Sequence, residues 1–167
     1  MELHTSSGLT SGSPFARERL EPERDKTIMT IQAVLTPLFV QVALTFGLLF
    51  WLAPLRVGAL KRNEVAARQI ALGEKAWPPR LQQIANSVDN QFQLPVLFYV
   101  LVILAIIARK DDLLFVIMSW LFVISRFAHA FVHTGSNDVR VRGPIYGIGL
   151  VILLLMWIIF AARVLLG

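Results

Sequence analysis

Four long apolar stretches, separated by short polar connections, organise this chain. Residues 27–55, 90–108 and 143–162 carry no charged side chain. Each is close to or beyond the roughly 20 residues that a helix needs to cross a hydrocarbon core of about 30 Å. A fourth run, Leu113–Ser125, lasts 13 residues before Arg126 interrupts it, and it spans only if the helix continues through Arg126 towards His133. The pattern predicts an all-α, integral membrane four-helix bundle, with helices over Ile31–Leu55, Leu81–Ala108, Leu113–His133 and Pro144–Leu166. Pro95 is expected to kink the second helix near its middle, and Pro144 suits the first turn of the fourth. Connections this short leave room for one bundle, over residues 29–167, and no separate soluble domain.

Upstream lies a stretch of another kind. Residues 1–28 combine "HTSSGLTSGSP" with the charge-mixed "ARERLEPERDK" and offer no apolar face to bury. They read as a disordered tail, with Met29 as an alternative start of the protein. The first connection, Arg56 to Arg80, is basic, and its Glu64–Leu72 segment could form an amphipathic turn or two at the membrane surface.

Composition agrees with the pattern: 56% of the 167 residues are hydrophobic and 16% charged, and mean hydropathy is +0.63. A net charge of +5 could suggest nucleic acid, but the charges lie in connections beside apolar spans, where lipid headgroups and topology signals account for them. No nucleic-acid partner is expected. The absence of cysteine excludes disulfides, thiolate metal sites and a cysteine nucleophile. Six Lys or Arg in the first connection and two in the third share one side of the membrane, against two in the second connection if the chain starts at Met29. The positive-inside rule then puts the first and third connections in the cytoplasm and both termini outside. The expected setting is a bacterial inner membrane, with an organellar membrane as the alternative.

Two clusters of polar residues interrupt the apolar spans. Asn86, Asp89, Asn90 and Gln93 recur at i, i+3, i+4 and i+7 at the start of the second helix, so they share one face. Turned to lipid, each would cost free energy, so the face is expected to point inward. On the third helix Arg126, His129 and His133 also share a face, with Arg140 following in the expected third connection. Antiparallel packing should bring the two faces together at one membrane depth, with Asp89 opposite Arg126. One ion pair would satisfy those two charges, and the remaining amides could simply bond helix to helix. So many polar and basic groups also suit a pocket for a polar, anionic ligand.

These residues resemble the MAPEG family, the membrane-associated proteins in eicosanoid and glutathione metabolism. The resemblance covers about residues 30–166. Family enzymes carry Arg-x3-Asn-x2-Glu at the start of helix two, followed shortly by Pro. One register sets Gln82, Asn86 and Asp89 at those positions; another sets Asn86, Asn90 and Gln93 there and keeps the Pro95 spacing better. Neither supplies the Arg. Family enzymes also show Arg-x2-Tyr-x3-Tyr-x6-Arg, and "RFAHAFVHTGSNDVR" keeps that spacing as Arg126, His129, His133 and Arg140, with His at both Tyr positions. The resemblance implies a homotrimer that binds glutathione in a cleft between subunits. Arg140 would hold the sulfur as thiolate, with Asn86, Asp89, Asn90, Gln93, Arg126, His129 and His133 around the tripeptide. An apolar co-substrate would arrive from the bilayer for transferase or peroxidase chemistry.

The competing reading is a non-catalytic membrane protein that binds a lipid or small anion in the same cleft. His129 and His133 at i, i+4 could chelate a metal with Asp89 as third ligand, but without cysteine or a second His pair no metal site is assigned. No inverted repeat or Gly-broken helix pair supports a transporter.

Overall fold

A computed structural model describes residues 29–71, 73 and 76–166; the tail assigned to residues 1–28 lies outside them. The described chain is helical, and four helical segments are long and apolar enough to cross a membrane: Ile31–Lys61, Pro79–Ile107, Leu113–Thr134 and Val139–Leu165. The expected all-α, four-helix membrane bundle is the fold. Its outward face is apolar, with Phe50, Ile107 and Phe131 exposed as lipid-facing side chains are.

Helix α1 (Ile31–Lys61) starts at the Thr30 cap, whose side chain accepts from the Ala33 amide at 3.3 Å. It runs six residues past the expected end at Leu55. Arg56 does not stop a helix; its polar head needs only to reach water. The stop comes where Asn63 adopts a left-handed conformation (φ 55°). There the Asn63 amide donates to Leu60 and the Glu64 amide to Ala59, which satisfies the last carbonyls. A single turn, α2 (Ala67–Ile70), is what forms of the amphipathic segment expected over Glu64–Leu72.

The second span is broken. Helix α3 (Pro79–Asp89) passes through a 3₁₀ turn (Asn90–Phe92) into α4 (Leu94–Ile107). Pro95 has no amide to give the carbonyl four residues earlier, and its ring crowds that carbonyl, so the distortion falls on the preceding turn. Gln91 points into the bundle there and accepts from Gln41 Nε2 of α1 at 3.0 Å.

Helix α5 (Leu113–Thr134) begins at Asp112, whose carboxylate accepts from the Phe115 amide at 3.0 Å, and continues through Arg126 as the span required. Helix α6 (Val139–Leu165) starts five residues before the expected Pro144, because Asp138 caps it by accepting from the Arg140 amide at 2.9 Å. Pro144 is then an interior residue, and Arg140 lies on the first helical turn rather than in a loop.

Two apolar clusters hold the bundle. One, around Phe98, Leu101, Phe122, Leu153 and Met156, joins α4, α5 and α6, with the Phe98 and Phe122 ring centroids 4.7 Å apart. The other, around Leu48, Leu52, Leu81, Ile84 and Ala130, joins α1, α3 and α5. The end of α5 meets the start of α3 as antiparallel packing demands. Gln83 Nε2 donates to the His133 and Gly135 carbonyls (2.8 and 3.0 Å), and Arg80 donates to the Thr134 carbonyl. Side chains of α3 thus satisfy carbonyls that the helix end leaves free.

Candidate functional site

The polar residues at this end of the bundle divide into two groups. The inner group is assembled by α3, α5 and α6. Asn90 Nδ2 lies 3.1 Å from His133 Nδ1, and the His133 and His129 rings meet edge to face at 5.4 Å. Tyr146 of α6 meets His129 at the same separation, and its hydroxyl donates to Gln93 Oε1 at 3.1 Å. Arg126 is 2% exposed. Its guanidinium carbon sits 5.0 Å from the Tyr146 ring centroid and 5.7 Å from that of Phe122. Nη2 reaches the Ile145 and Tyr146 carbonyls at 3.5 and 3.4 Å.

Gly149 explains how a guanidinium fits against α6. A Cβ at that position would stand 2.5 Å from Arg126 Nη2 and 2.7 Å from Ser125 Oγ. The cation therefore lies directly on the backbone of the facing helix, and only glycine leaves it room.

The expected Asp89–Arg126 pairing does not occur. Asp89 is exposed on the outer side of α3, Arg126 is turned to α6, and no ion pair joins them among the described residues. Asp89 and Asn90 are consecutive helical residues about 100° apart around the axis, so they stand at opposite edges of the face drawn through Asn86, Asp89, Asn90 and Gln93. Asn90 and, beyond the 3₁₀ turn, Gln93 join the inner group while Asp89 does not. Asp89 is equally unable to complete a His129–His133 chelate, and no three His, Cys, Asp or Glu side chains gather for a metal among the described residues.

The outer group lies on α1, α3 and the segment between them. Gln82 Nε2 donates to Asn86 Oδ1 at 2.8 Å. Gln82 and Asp89 line a cavity of about 300 Å³ with Arg56, Ile70, Trp77 and Ala85. The Arg56 guanidinium carbon lies 5.2 Å from the Trp77 ring centroid. Arg56 Nε and Gln82 Oε1 are buried without a hydrogen-bond partner. Buried polar atoms are nearly always satisfied, and Arg126 Nε of the inner group is a further exception; Arg56 and Gln82 differ from it in lining an open cavity. Of the two registers drawn for helix two, only Gln82–Asn86–Asp89 shares this open side.

The structure therefore joins Asn90, Gln93, Arg126, His129 and His133 in the inner group and puts Asn86 and Asp89 in the outer one. Arg140 belongs to neither; it is exposed, and its side chain has no partner among the described residues. Sequence reasoning missed Tyr146, the only tyrosine of the fourth span, three residues before Gly149 and so on its face. It also missed Arg56, which continues the Leu48–Leu52 stripe at four-residue spacing once α1 is allowed to pass Leu55.

Comparison with known proteins adds one finding. No curated protein and no solved structure matches this chain. The MAPEG family model matches residues 34–162, from the first turn of α1 to the last turn of α6, and takes in both polar groups. The chain belongs to the MAPEG family.

Proposed function

We propose that this protein binds glutathione at the open side of α3, in a cleft shared between subunits of a homotrimer. The observation that carries the proposal is the cavity of about 300 Å³ lined by Arg56, Gln82 and Asp89, which sets a cation, an amide and a carboxylate around one space. Glutathione presents two carboxylates, one ammonium and two peptide groups. Arg56 suits a carboxylate through a charge-assisted bond, Asp89 suits the ammonium, and the Gln82 and Asn86 amides suit the peptide groups. The cavity is at the small end of the range for ligand pockets and opens outward, which is what a site completed by a neighbouring subunit requires. The excess of Lys and Arg in the first and third connections favours a cytoplasmic position for this end of the bundle, where glutathione is available.

The test is a titration of purified protein with glutathione in mild detergent. Arg56→Gln and Asp89→Asn should each weaken binding about tenfold or more, the range for a hydrogen bond to a charged group. Parental affinity in both variants would overturn the site. Cross-linking in the same detergent should give trimers, and a clean monomer would remove the shared cleft.

A second reading adds catalysis, and Arg140 is the observation that favours it. Its guanidinium, exposed on the first turn of α6, is available to a neighbour's ligand, whereas Arg126 is buried and bonds carbonyls of its own chain through Nη2. A thiol of pKa about 8.5 is mostly protonated at neutral pH, and an adjacent guanidinium favours the thiolate that attacks an electrophile. Thiolate absorbance should appear on adding glutathione to the parent and be lost in Arg140→Ala with binding retained. Absence of the signal in the parent leaves the non-catalytic binding protein.

A further inference from the structure

A groove on the outer, apolar surface of the bundle is lined by none of the residues of the two polar groups. Val40, Ala43, Leu44, Gly47 and Trp51 of α1 border it with Phe127 of α5, around a volume of about 370 Å³. These α1 positions recur at three- and four-residue spacing, so they form one stripe along the helix, with the small Ala43 and Gly47 as its floor. From Val40 to Trp51 the stripe rises roughly 16 Å along the membrane normal. At its upper end the Trp51 ring faces Arg80, whose guanidinium carbon is 5.7 Å from the ring centroid.

Arg80 makes its described bonds, to Gln83 Oε1 and the Thr134 carbonyl, through Nη1 alone. Nε and Nη2 have no partner among the described residues and remain for an incoming acceptor. The surroundings have the same sign: at this end the described residues hold seven Lys or Arg (56, 61, 62, 68, 80, 140 and 142) against three carboxylates (64, 89 and 138). The groove is thus an apolar slot of acyl-chain shape, closed at the interface by a tryptophan and a cation.

We propose that this groove is a binding site for one anionic phospholipid, with an acyl chain along α1 over Gly47 and the phosphate on Arg80. A tryptophan at headgroup depth and an arginine within reach of phosphate are the two contacts that such a lipid needs. A zwitterionic lipid could fill the slot equally well, but its ammonium would offset the attraction to Arg80 and its basic surroundings. The groove is separate from the proposed glutathione site, since none of Arg56, Gln82 and Asp89 lines it.

The experiment is native mass spectrometry of delipidated protein titrated with phosphatidylglycerol or phosphatidylcholine. The parent should favour phosphatidylglycerol about fivefold, the increment expected for one basic residue near an anionic lipid surface. Arg80→Gln should lose the preference. Gly47→Leu should lose retention of both lipids while keeping the parental melting temperature and glutathione binding, because a side chain at Gly47 meets nothing of its own chain within 4 Å of its Cβ. An unchanged preference in Arg80→Gln, or unchanged retention in Gly47→Leu, would overturn the proposal. A shift of oligomeric mass in Gly47→Leu with lipid retention intact would assign the groove to subunit contact instead.

Discussion

The inner and outer polar groups lie at the same end of one bundle and use the same kinds of side chain, yet they are built for different ends. Around Arg126, His133 and Tyr146, hydrogen bonds and ring contacts turn inward, and the cation is spent on carbonyls and aromatic faces of its own chain. Around Arg56 and Gln82, atoms are buried yet unpartnered beside an open cavity. Unpartnered atoms occur in both, since Arg126 Nε has no hydrogen-bond partner either; what separates the two groups is the open cavity lined by Arg56 and Gln82. Residue type alone does not separate them, because an arginine stands at the centre of each.

The largest expected effect comes from breaking the inner group. Arg126→Ala removes a large buried side chain and should lower stability by about 2–5 kcal/mol in a detergent unfolding assay. Arg126→Met should cost less than Arg126→Ala, since no carboxylate is left behind when this cation goes. Both should bind glutathione as the parent does once folded.

Gly149→Ala comes next. Its Cβ would force the guanidinium from its seat, an overpacking cost of about 1–3 kcal/mol. Combined with Arg126→Met the loss should shrink, because the flexible thioether can move aside. Purely additive melting shifts would show that Gly149 and Arg126 are not coupled. In the outer group the balance reverses. Asp89→Asn alters an exposed residue and should change stability by no more than about 0.5 kcal/mol while weakening glutathione binding.

The smallest effect lies at the opposite end of the bundle, where Asp112 meets Arg163 at 2.8 Å. Partial burial pushes the Asp112 carboxyl up, but bonds from Arg163 and the Phe115 amide outweigh it and hold the group below its usual value. A depressed carboxylate stabilises the fold above its unfolded pKa of about 3.9 and loses that contribution as pH falls through the lower folded value. Melting temperature should therefore be insensitive to this pair from neutral pH to about 5 and fall below about 4, with Asp112→Asn flattening the acid limb slightly.

Much of the fold was legible in the sequence because apolar length is a direct consequence of membrane thickness. The third span is instructive: Arg126 cut its hydropathy short, and the helix ran on because the arginine found carbonyls and rings inside the bundle. Helix ends were less legible. Leu55 and Pro144 look like boundaries by charge and by proline, but capping by Asn63 and Asp138 set the real ones. The site was half legible. Helical spacing identified the polar residues of α3 and α5, but a face about 100° wide does not say which edge turns inward, and here Asn90 does while Asp89 is exposed. Arg56 and Tyr146 belong to helices that carry neither of the two polar clusters, so only tertiary packing reveals them.

The central claim is that the outer group, and not the inner one, receives the ligand. It is tested most directly by paired glutathione-binding isotherms on Arg56→Gln and Asn90→Ala, each shown to be folded by its melting curve. Arg56→Gln should lose affinity about tenfold or more, while Asn90→Ala should bind as the parent does. Loss of binding in Asn90→Ala with parental affinity in Arg56→Gln would contradict it and return the ligand to the cluster around His133.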